Sequence, residues 1–384
     1  MTAKGPLSGI TVVDLTRVLA GPYCTMMLAD MGARVIKVEP PGLGDDSRQF
    51  GPFIQGRPCY FGSVNRGKES IALDLKSEAD RAVFEKLLER ADILTENFRP
   101  GVLERLGYGW EHLHERYPRL IYASTSGFGH AGPARDRPSY DMVIQGMSGM
   151  MSVTGPSEGE PCRVGISIAD VGSGIFTAAA VNAALLHRER SGEASRVDIA
   201  MYDCLLAMLE STISRYTMAG EVGGRMGSRH PAIMPFEAFA TADGHIVLAC
   251  GNDKMFGLLA RALGLPELIE DERFRRNELR VANREILHEL IEERLRGDRT
   301  ANWLAHFDAA GVPAGPINSI DEALSHPQVA ARNMLISVTD PVLGPVRIAG
   351  TPLKFSTFED PPTRRVAPDL DQDRKAILAE LGLA

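Results

Sequence analysis

An α/β fold is predicted for this chain: a parallel sheet covered by helices on both faces, joined to a smaller α/β unit. Three observations carry the prediction. Short β-branched runs alternate with helix-length patterns through the first half of the sequence, the arrangement that parallel strands with crossover helices require. The length, 384 residues, exceeds what one hydrophobic core usually serves, so two domains are expected. Gly220, Gly223, Gly224, Gly227, Pro231 and Pro235 crowd into one stretch and mark a linker between two patterned regions.

The expected strands run in order: Ile10-Thr11-Val12-Val13, Val35-Ile36-Lys37-Val38, Ile71 to Leu75, Ile93-Leu94-Thr95 and Leu120 to Ala123. Helical patterns at Tyr23 to Met31 and Glu78 to Ala91 separate them. Two long apolar helices are expected near Val171 to Glu189 and Tyr202 to Met218, with a strand at Arg196 to Ala200 between them. Beyond the linker, Ala238 to about Gly315 reads as the smaller unit: a strand at His245 to Ala249, then helices near Lys254–Leu263, Ala282–Leu295 and Thr300–Ala310. After Asp321 the pattern is irregular and rich in proline, ending in a helix at Asp371 to Leu381.

With 44% hydrophobic and 24% charged residues, the composition is that of an ordinary globular protein. The formal charge of −8 is spread along the chain, so no basic patch for nucleic acid is visible. Five scattered cysteines, Cys24, Cys59, Cys162, Cys204 and Cys250, form no CxxC pair and argue against a disulfide framework or a zinc site. No stretch of about 18 apolar residues and no signal-length apolar run is read here, so the expectation is a cytoplasmic protein without a membrane span.

Several familiar signatures fail on context. Gly172-Ser173-Gly174 opens a helix, but Thr177 stands where a dinucleotide fingerprint needs its third glycine. Gly155-Pro156-Ser157-Glu158-Gly159 has the letters of a nucleophile elbow, yet leads into Glu160-Pro161-Cys162 rather than a helix. His112 and His114 have no third ligand at metal spacing.

Asp170 is more informative, because it stands between an apolar run and the start of the long helix. It reads as an ordinary N-cap or as a carboxylate nucleophile. For the second role, helix amides and the helix dipole would favour the anion by roughly 0.3–1 kcal/mol. Gly172 and Gly174 would let a substrate approach the backbone, and nearby amides could receive an oxyanion.

Val12 to Pro22, Gly32-Ala33-Arg34-Val35-Ile36-Lys37-Val38-Glu39, Asn65-Arg66-Gly67-Lys68, Leu73-Asp74-Leu75 and Glu96-Asn97-Phe98-Arg99-Pro100-Gly101 together resemble the class III (CaiB/BaiF) CoA-transferases. Gly127-Phe128-Gly129, Tyr140-Asp141, Thr154-Gly155 and the Asp170 helix continue the resemblance in the same order, over nearly the whole chain. It implies a Rossmann-like large domain at 1–218, completed by 330–384 returning to it, and a linker with a small α/β domain at 219–329. It also implies an interlocked homodimer and Asp170 as the nucleophile. Acyl-CoA and a small carboxylic acid are then the partners, with coenzyme A as substrate, no permanently bound cofactor and no metal.

The positions matching the family's CoA contacts are Ala20, Leu73 to Lys76, Asn97, Phe98, Arg105, Tyr140 and Asp141. Arg105 and Lys76 could neutralise phosphates. Pro40 and Pro138 stand where formyl-CoA transferases carry an arginine and a lysine, so Arg34, Lys37 or Arg137 would have to compensate. A lid-forming glycine run is also missing, which argues against oxalate and formate chemistry. Gly227 to Pro231, Pro235-Phe236 and Gly251-Asn252-Asp253 resemble members that use succinyl-CoA and dicarboxylic acids, for which Arg17, Arg229 and His230 are the candidate grips on a distal carboxylate.

Racemases of the same superfamily carry a histidine where this chain has Tyr140. Removing a proton beside a thioester needs bases titrating near neutrality, and a phenol with an ordinary pKa near ~10 is poorly suited. A racemase-like epimerase, a non-catalytic CoA-binding protein and a nucleotide-dependent oxidoreductase are the alternatives.

Overall fold

A computed structural model describes residues 5–383. Six strands, β1 (Thr11–Asp14), β2 (Arg34–Glu39), β3 (Glu69–Ala72), β4 (Ile93–Glu96), β5 (Ile121–Ser126) and β6 (Arg196–Ala200), form one sheet in the spatial order β3-β2-β1-β4-β5-β6. All pairs are parallel, with Val12 opposite both Val35 and Ile93. Successive side chains leave a strand on opposite faces, and both faces are apolar here. Val13, Ile36, Ile71, Leu94 and Tyr122 pack with Phe84 and Leu87 of the Glu78–Leu88 helix. On the other face Val12, Val35, Ile93 and Ile121 meet Cys24 and Leu28 of the Ala20–Asp30 helix and Val181 and Leu185 of the Ile168–Ser191 helix.

The direction of winding reverses at β1, whose neighbours β2 and β4 lie on opposite sides. Loops leaving the carboxyl ends of β1 and β4 therefore diverge, and such a switch point opens a crevice suited to ligands. The outer edge at β3 is covered by the chain's own C-terminal segment. Asp373 N–H donates to the Ser70 carbonyl at 3.0 Å, and the Asp371 and Asp373 carboxylates accept from Ala72 N–H and Ser70 N–H at 2.7 and 2.9 Å. Pairing of this kind removes an open strand edge.

The chain divides into two compact units, the first made of the described residues to Met151, Arg163–Val222 and Pro327 onward, the second of Ser152–Cys162 and Gly223–His326. In the second, Ala314–Pro316, His245–Ala249 and Phe236–Ala240 form an antiparallel sheet in that order. Phe239, Ile246 and Leu248 from it pack with Phe256, Leu259, Leu287, Ile291, Trp303 and Phe307 from helices Asp253–Leu263, Arg284–Leu295 and Thr300–Ala310.

Four expectations are corrected. The helix at Tyr202 to Met218 is two helices, Met201–Met208 and Glu210–Ala219, broken where Leu209 leaves the helical region at ψ 22°. The stretch after Asp321 contains an antiparallel hairpin, Leu335–Asp340 with Gly344–Ala349. Its signal was the alternation of buried Ile336 and Val338 with exposed Ser337 and Thr339, overshadowed by the surrounding prolines. Phe236–Ala240 is a strand where the linker was expected to run out. Finally, Ile168–Ser191 is long and apolar enough by composition to cross a membrane; half of its most apolar window is buried in this fold, packed on β5, β6 and the Ala20–Asp30 helix.

Candidate active site

Loops at the carboxyl edge of the sheet enclose two cavities that share Arg17, Phe98 and Arg99 in their walls. The larger, about 790 Å³, is lined by Leu15 to Arg17 after β1, Glu39 and Pro40 after β2, Leu73 to Lys76 after β3, and Phe98, Val102 and Arg105 after β4. The smaller, about 300 Å³, is lined by Ala20, Asn97, Ser126, Arg135, Arg137, Tyr140 and Asp170 among others. Leu73, Lys76, Phe98 and Arg105 thus face the first, and Ala20, Asn97, Phe98, Tyr140, Arg17 and Asp170 the second.

Asp170 is the third residue of the Ile168–Ser191 helix, which starts after Ser167, so it is not the N-cap. Its carboxylate receives no hydrogen bond from any described residue. Burial, reinforced by the nearby Asp141 carboxylate, pushes it up from 3.8 to about 7. The helix dipole was expected to favour the anion, but desolvation and a like charge outweigh it here.

Asp141 explains why. Its Oδ1 accepts from Ala169 N–H at 2.8 Å and Asp170 N–H at 3.4 Å, and its Oδ2 accepts from the Gln145 amide at 2.7 Å. The helix-start amides expected to be open for an oxyanion are therefore occupied by a neighbouring carboxylate. The glycines of this helix also serve differently from expectation. A Cβ at Gly172 would sit 2.3 Å from Met208 Cε, and one at Gly174 would sit 2.7 Å from the Ala20 carbonyl oxygen. Both let neighbouring chain segments approach the helix closely.

Around Asp170 the charge is mostly cationic. Arg17, Arg99 and Arg137 line its cavity, and no acidic partner among the described residues pairs with any of them. Arg17 stacks over Phe98 at 5.1 Å from the ring centroid. Asn97 spends its amide on the Arg17 main chain, accepting from Arg17 N–H and donating to its carbonyl, each at 2.8 Å. Tyr140 is 78% exposed.

Other candidates stand elsewhere. Arg34 begins β2, at the opposite end of the strand from the cavities, and is tied to Glu69 and Glu380 at 2.8 and 2.7 Å. Lys37 is buried and bonded to the Thr16 carbonyl and Asp45. Neither can stand in for the basic residues replaced by Pro40 and Pro138, whereas Arg137 lines the cavity. In the second unit, Arg229 is held by Glu237 at 2.9 Å and Glu285 at 2.6 Å. His230 Nδ1 accepts from Ala232 N–H, and its ring lies 5.2 Å from that of Phe236. Sequence reasoning passed over Arg99 and Arg135, although Arg99 lies inside the Glu96 to Gly101 motif and Arg135 shares its loop with Arg137.

The family model described as CoA-transferase family III matches residues 7–374. The acetyl-CoA:oxalate CoA-transferase of Acetobacter aceti is 46% identical over 378 residues, covering 98% of this chain and 96% of that one. The succinyl-CoA:glutarate CoA-transferase of Mus musculus is 39% identical over 381 residues, covering 98% and 86%. Among solved structures, a CaiB/BaiF family protein from Brucella suis superposes with a TM-score of 0.86 at 40% identity, over 98% of this chain and 100% of that one. On sequence and fold alike, the chain belongs to CoA-transferase family III.

Proposed function

We propose that this enzyme transfers CoA from an acyl-CoA donor to a dicarboxylic acid through a covalent intermediate on Asp170. The carboxylate attacks the donor thioester carbonyl, giving a mixed anhydride and CoA thiolate. The thiolate then attacks the aspartyl carbonyl, forming an enzyme thioester and freeing the donor acid. The acceptor carboxylate attacks this thioester, regenerating CoA thiolate and a new anhydride, and the thiolate takes the acyl group from that anhydride. Every intermediate stays activated, so the sequence of steps consumes neither ATP nor a redox equivalent and calls for no bound cofactor.

The observation that carries this reading is a half-buried carboxylate that accepts no hydrogen bond from any described residue, in a cavity lined by Arg17, Arg99 and Arg137. A carboxylate near neutrality is a better nucleophile than one fully solvated at 3.8, and remote binding of the CoA arm can hold it against the thioester. We assign the larger cavity to the nucleotide end of CoA, with Arg105 and Lys76 on its phosphates and Leu73 and Phe98 against its apolar parts. Ala20 and Tyr140 would flank the thioester. The test is mass spectrometry of the Asp170 peptide after incubation with acyl-CoA and hydroxylamine. Absence of any adduct, together with retained transfer by Asp170→Ala, would refute the mechanism.

For the acceptor, oxalate and glutarate in the relatives' names are both dicarboxylates. The distal carboxylate then meets Arg17, which pairs with no acid among the described residues, in preference to Arg229, already engaged by two glutamates. Arg17→Ala should lower kcat/KM for glutarate about tenfold more than for butyrate, as expected when a charge-assisted contact is lost; an unchanged ratio removes Arg17 from this role.

The working form proposed is an interlocked homodimer in the cytoplasm. In favour of a second copy, the first unit exposes the large apolar side chains of Tyr140, Met142, Val143, Phe176, Leu186, Tyr216 and Met218, which a partner could cover. All five cysteines are free thiols, which suits a reducing compartment. Sedimentation at assay concentration decides the first point: an active monomer excludes the dimer.

A further inference from the structure

The turn that follows β1 is held with unusual completeness. Thr16 N–H donates to Asp14 Oδ1 at 2.8 Å, and the Thr16 carbonyl accepts from Lys37 Nζ at 2.6 Å. Both main-chain groups of Arg17 are bonded to the Asn97 amide, and Val18 N–H donates to Asp45 Oδ1 at 3.0 Å. Five consecutive main-chain groups are thus satisfied by side chains from four different places in the sequence. Lys37 and Asp45 are themselves a fully buried pair at 2.9 Å, and Lys68, also buried, bonds Asp14, Thr25 and Asn65 from behind.

Such fixation has an object. Val18 adopts φ +65°, a left-handed conformation that a β-branched side chain rarely enters and that persists only where surroundings over-determine it. Arg17 and Ala20, on either side of this strained residue, line the cavity that holds Asp170.

We infer that Asn97, with the Lys37–Asp45 pair beneath it, is a positioning residue that locks the Thr16–Val18 turn and thereby aims the Arg17 guanidinium into the Asp170 cavity. In this assignment Asn97 acts through Arg17, to whose main-chain N–H and carbonyl its amide is bonded. Losing the clamp releases the strain at Val18, and Arg17 swings out of register with Asp170. The inference rests on the transferase reading for its kinetic consequence and on the hydrogen-bond pattern alone for its structural one.

Two measurements on the full-length protein separate these. Trypsin cuts after arginine, so the Arg17–Val18 bond reports the turn without turnover; mass spectrometry of brief digests should show cleavage there rising about tenfold in Asn97→Ala, as local opening becomes easier, while the melting temperature stays close to wild type. In steady-state assays Asn97→Ala should lower kcat about tenfold or more, the usual consequence of misplacing a reacting partner, with the Kd for CoA within about threefold of wild type. Asn97→Ala combined with Arg17→Ala should be no worse than Arg17→Ala alone, since residues acting as one unit are not additive.

A tenfold weaker Kd for CoA with kcat intact would make Asn97 a direct contact and overturn the inference. So would multiplicative losses in the double variant, or unchanged protection of the Arg17–Val18 bond. If Asn97→Ala does not fold, Asn97→Ser, which keeps a polar group in place, goes through the same assays with the same criteria. Should the wild type transfer CoA to no acid at all, the transfer reading falls, while the tryptic result still decides the clamp.

Discussion

Two walls of the smaller cavity are built in opposite ways. On one side, five consecutive main-chain groups of the Thr16–Val18 turn are paired with side chains, backed by the buried charges of Asp14, Lys37, Asp45 and Lys68. On the other, the start of the Ile168–Ser191 helix presents Asp170 with no donor among the described residues, its amides claimed by Asp141. The contrast shows where a site can leave free energy unspent. The turn is held by bonds from several sides, and the carboxylate proposed to react is kept partly desolvated and unsatisfied.

The largest expected effect comes from the unsatisfied wall. Asp170→Asn should lose transfer activity by about three orders of magnitude or more, the scale on which covalent catalysts lose their nucleophile. The same variant should be more stable than wild type at pH 8. Because the folded-state value is raised from 3.8 to about 7, the stability associated with neutral Asp170 is complete below about pH 4 and is lost as pH rises through 7. Each tenfold displacement corresponds to about 1.4 kcal/mol, so the ionised group costs a few kcal/mol at pH 8. Equal melting temperatures for the two proteins at pH 8 would show that Asp170 is better solvated than this geometry allows.

The saturated wall should fail by unfolding instead. Lys37→Met strands the Asp45 carboxylate without its partner, and breaking a buried pair from one side costs about 3–5 kcal/mol. Burial alone would raise the carboxyl of Asp45, and Lys37 overrides it, holding the group well below the usual range. Chemical denaturation measures the loss. A change under about 1 kcal/mol would mean that water replaces the lysine, and the saturation argument would weaken.

A smaller effect separates the walls by pH. With Asp170 as the anionic nucleophile, kcat/KM should climb about tenfold per pH unit below 7 and level off above it. Asp141→Asn removes the like charge that adds to burial, so the midpoint should move to lower pH. A midpoint unmoved by this change would leave burial as the whole cause.

The smallest effect tests the helix itself. Gly174→Ala brings a methyl against the Ala20 carbonyl, a backbone atom that cannot step aside, and should cost about 1–3 kcal/mol. Gly172→Ala meets the flexible end of Met208, and the gain in helix propensity, about 1 kcal/mol, offsets much of the clash. A reversal of this order would show that the helix start, not the Ala20 turn, gives way.

Much of the architecture is legible in the sequence, because alternation of strands and helices and complete apolar runs such as Val35 to Val38 leave a buried parallel sheet as the only economical fold. Asp170 stood out as a candidate too, through its place between an apolar run and a helix. Its chemistry was not. Position in a helix suggested a stabilised anion, and only the fold brings Asp141, 29 residues earlier, onto the same amides. Composition also gave no sign that Lys37 and Lys68, inside strand-like or turn-like stretches, would be fully buried, since burial of a lysine depends on carboxylates supplied from elsewhere in the chain.

What the sequence by itself determined was therefore the set of local preferences: strand, helix, turn and the family-bearing motifs, each set by side chains within a few positions of one another. Tertiary structure alone decided which charges meet. Pairing energies and pKa shifts depend on distance and desolvation, which fall off over a few ångströms of space and have no counterpart in sequence separation. Asn97 and Arg17 lie 80 residues apart and share two hydrogen bonds, whereas Arg34 and Glu39, five apart on one strand, face opposite ends of the molecule's central sheet.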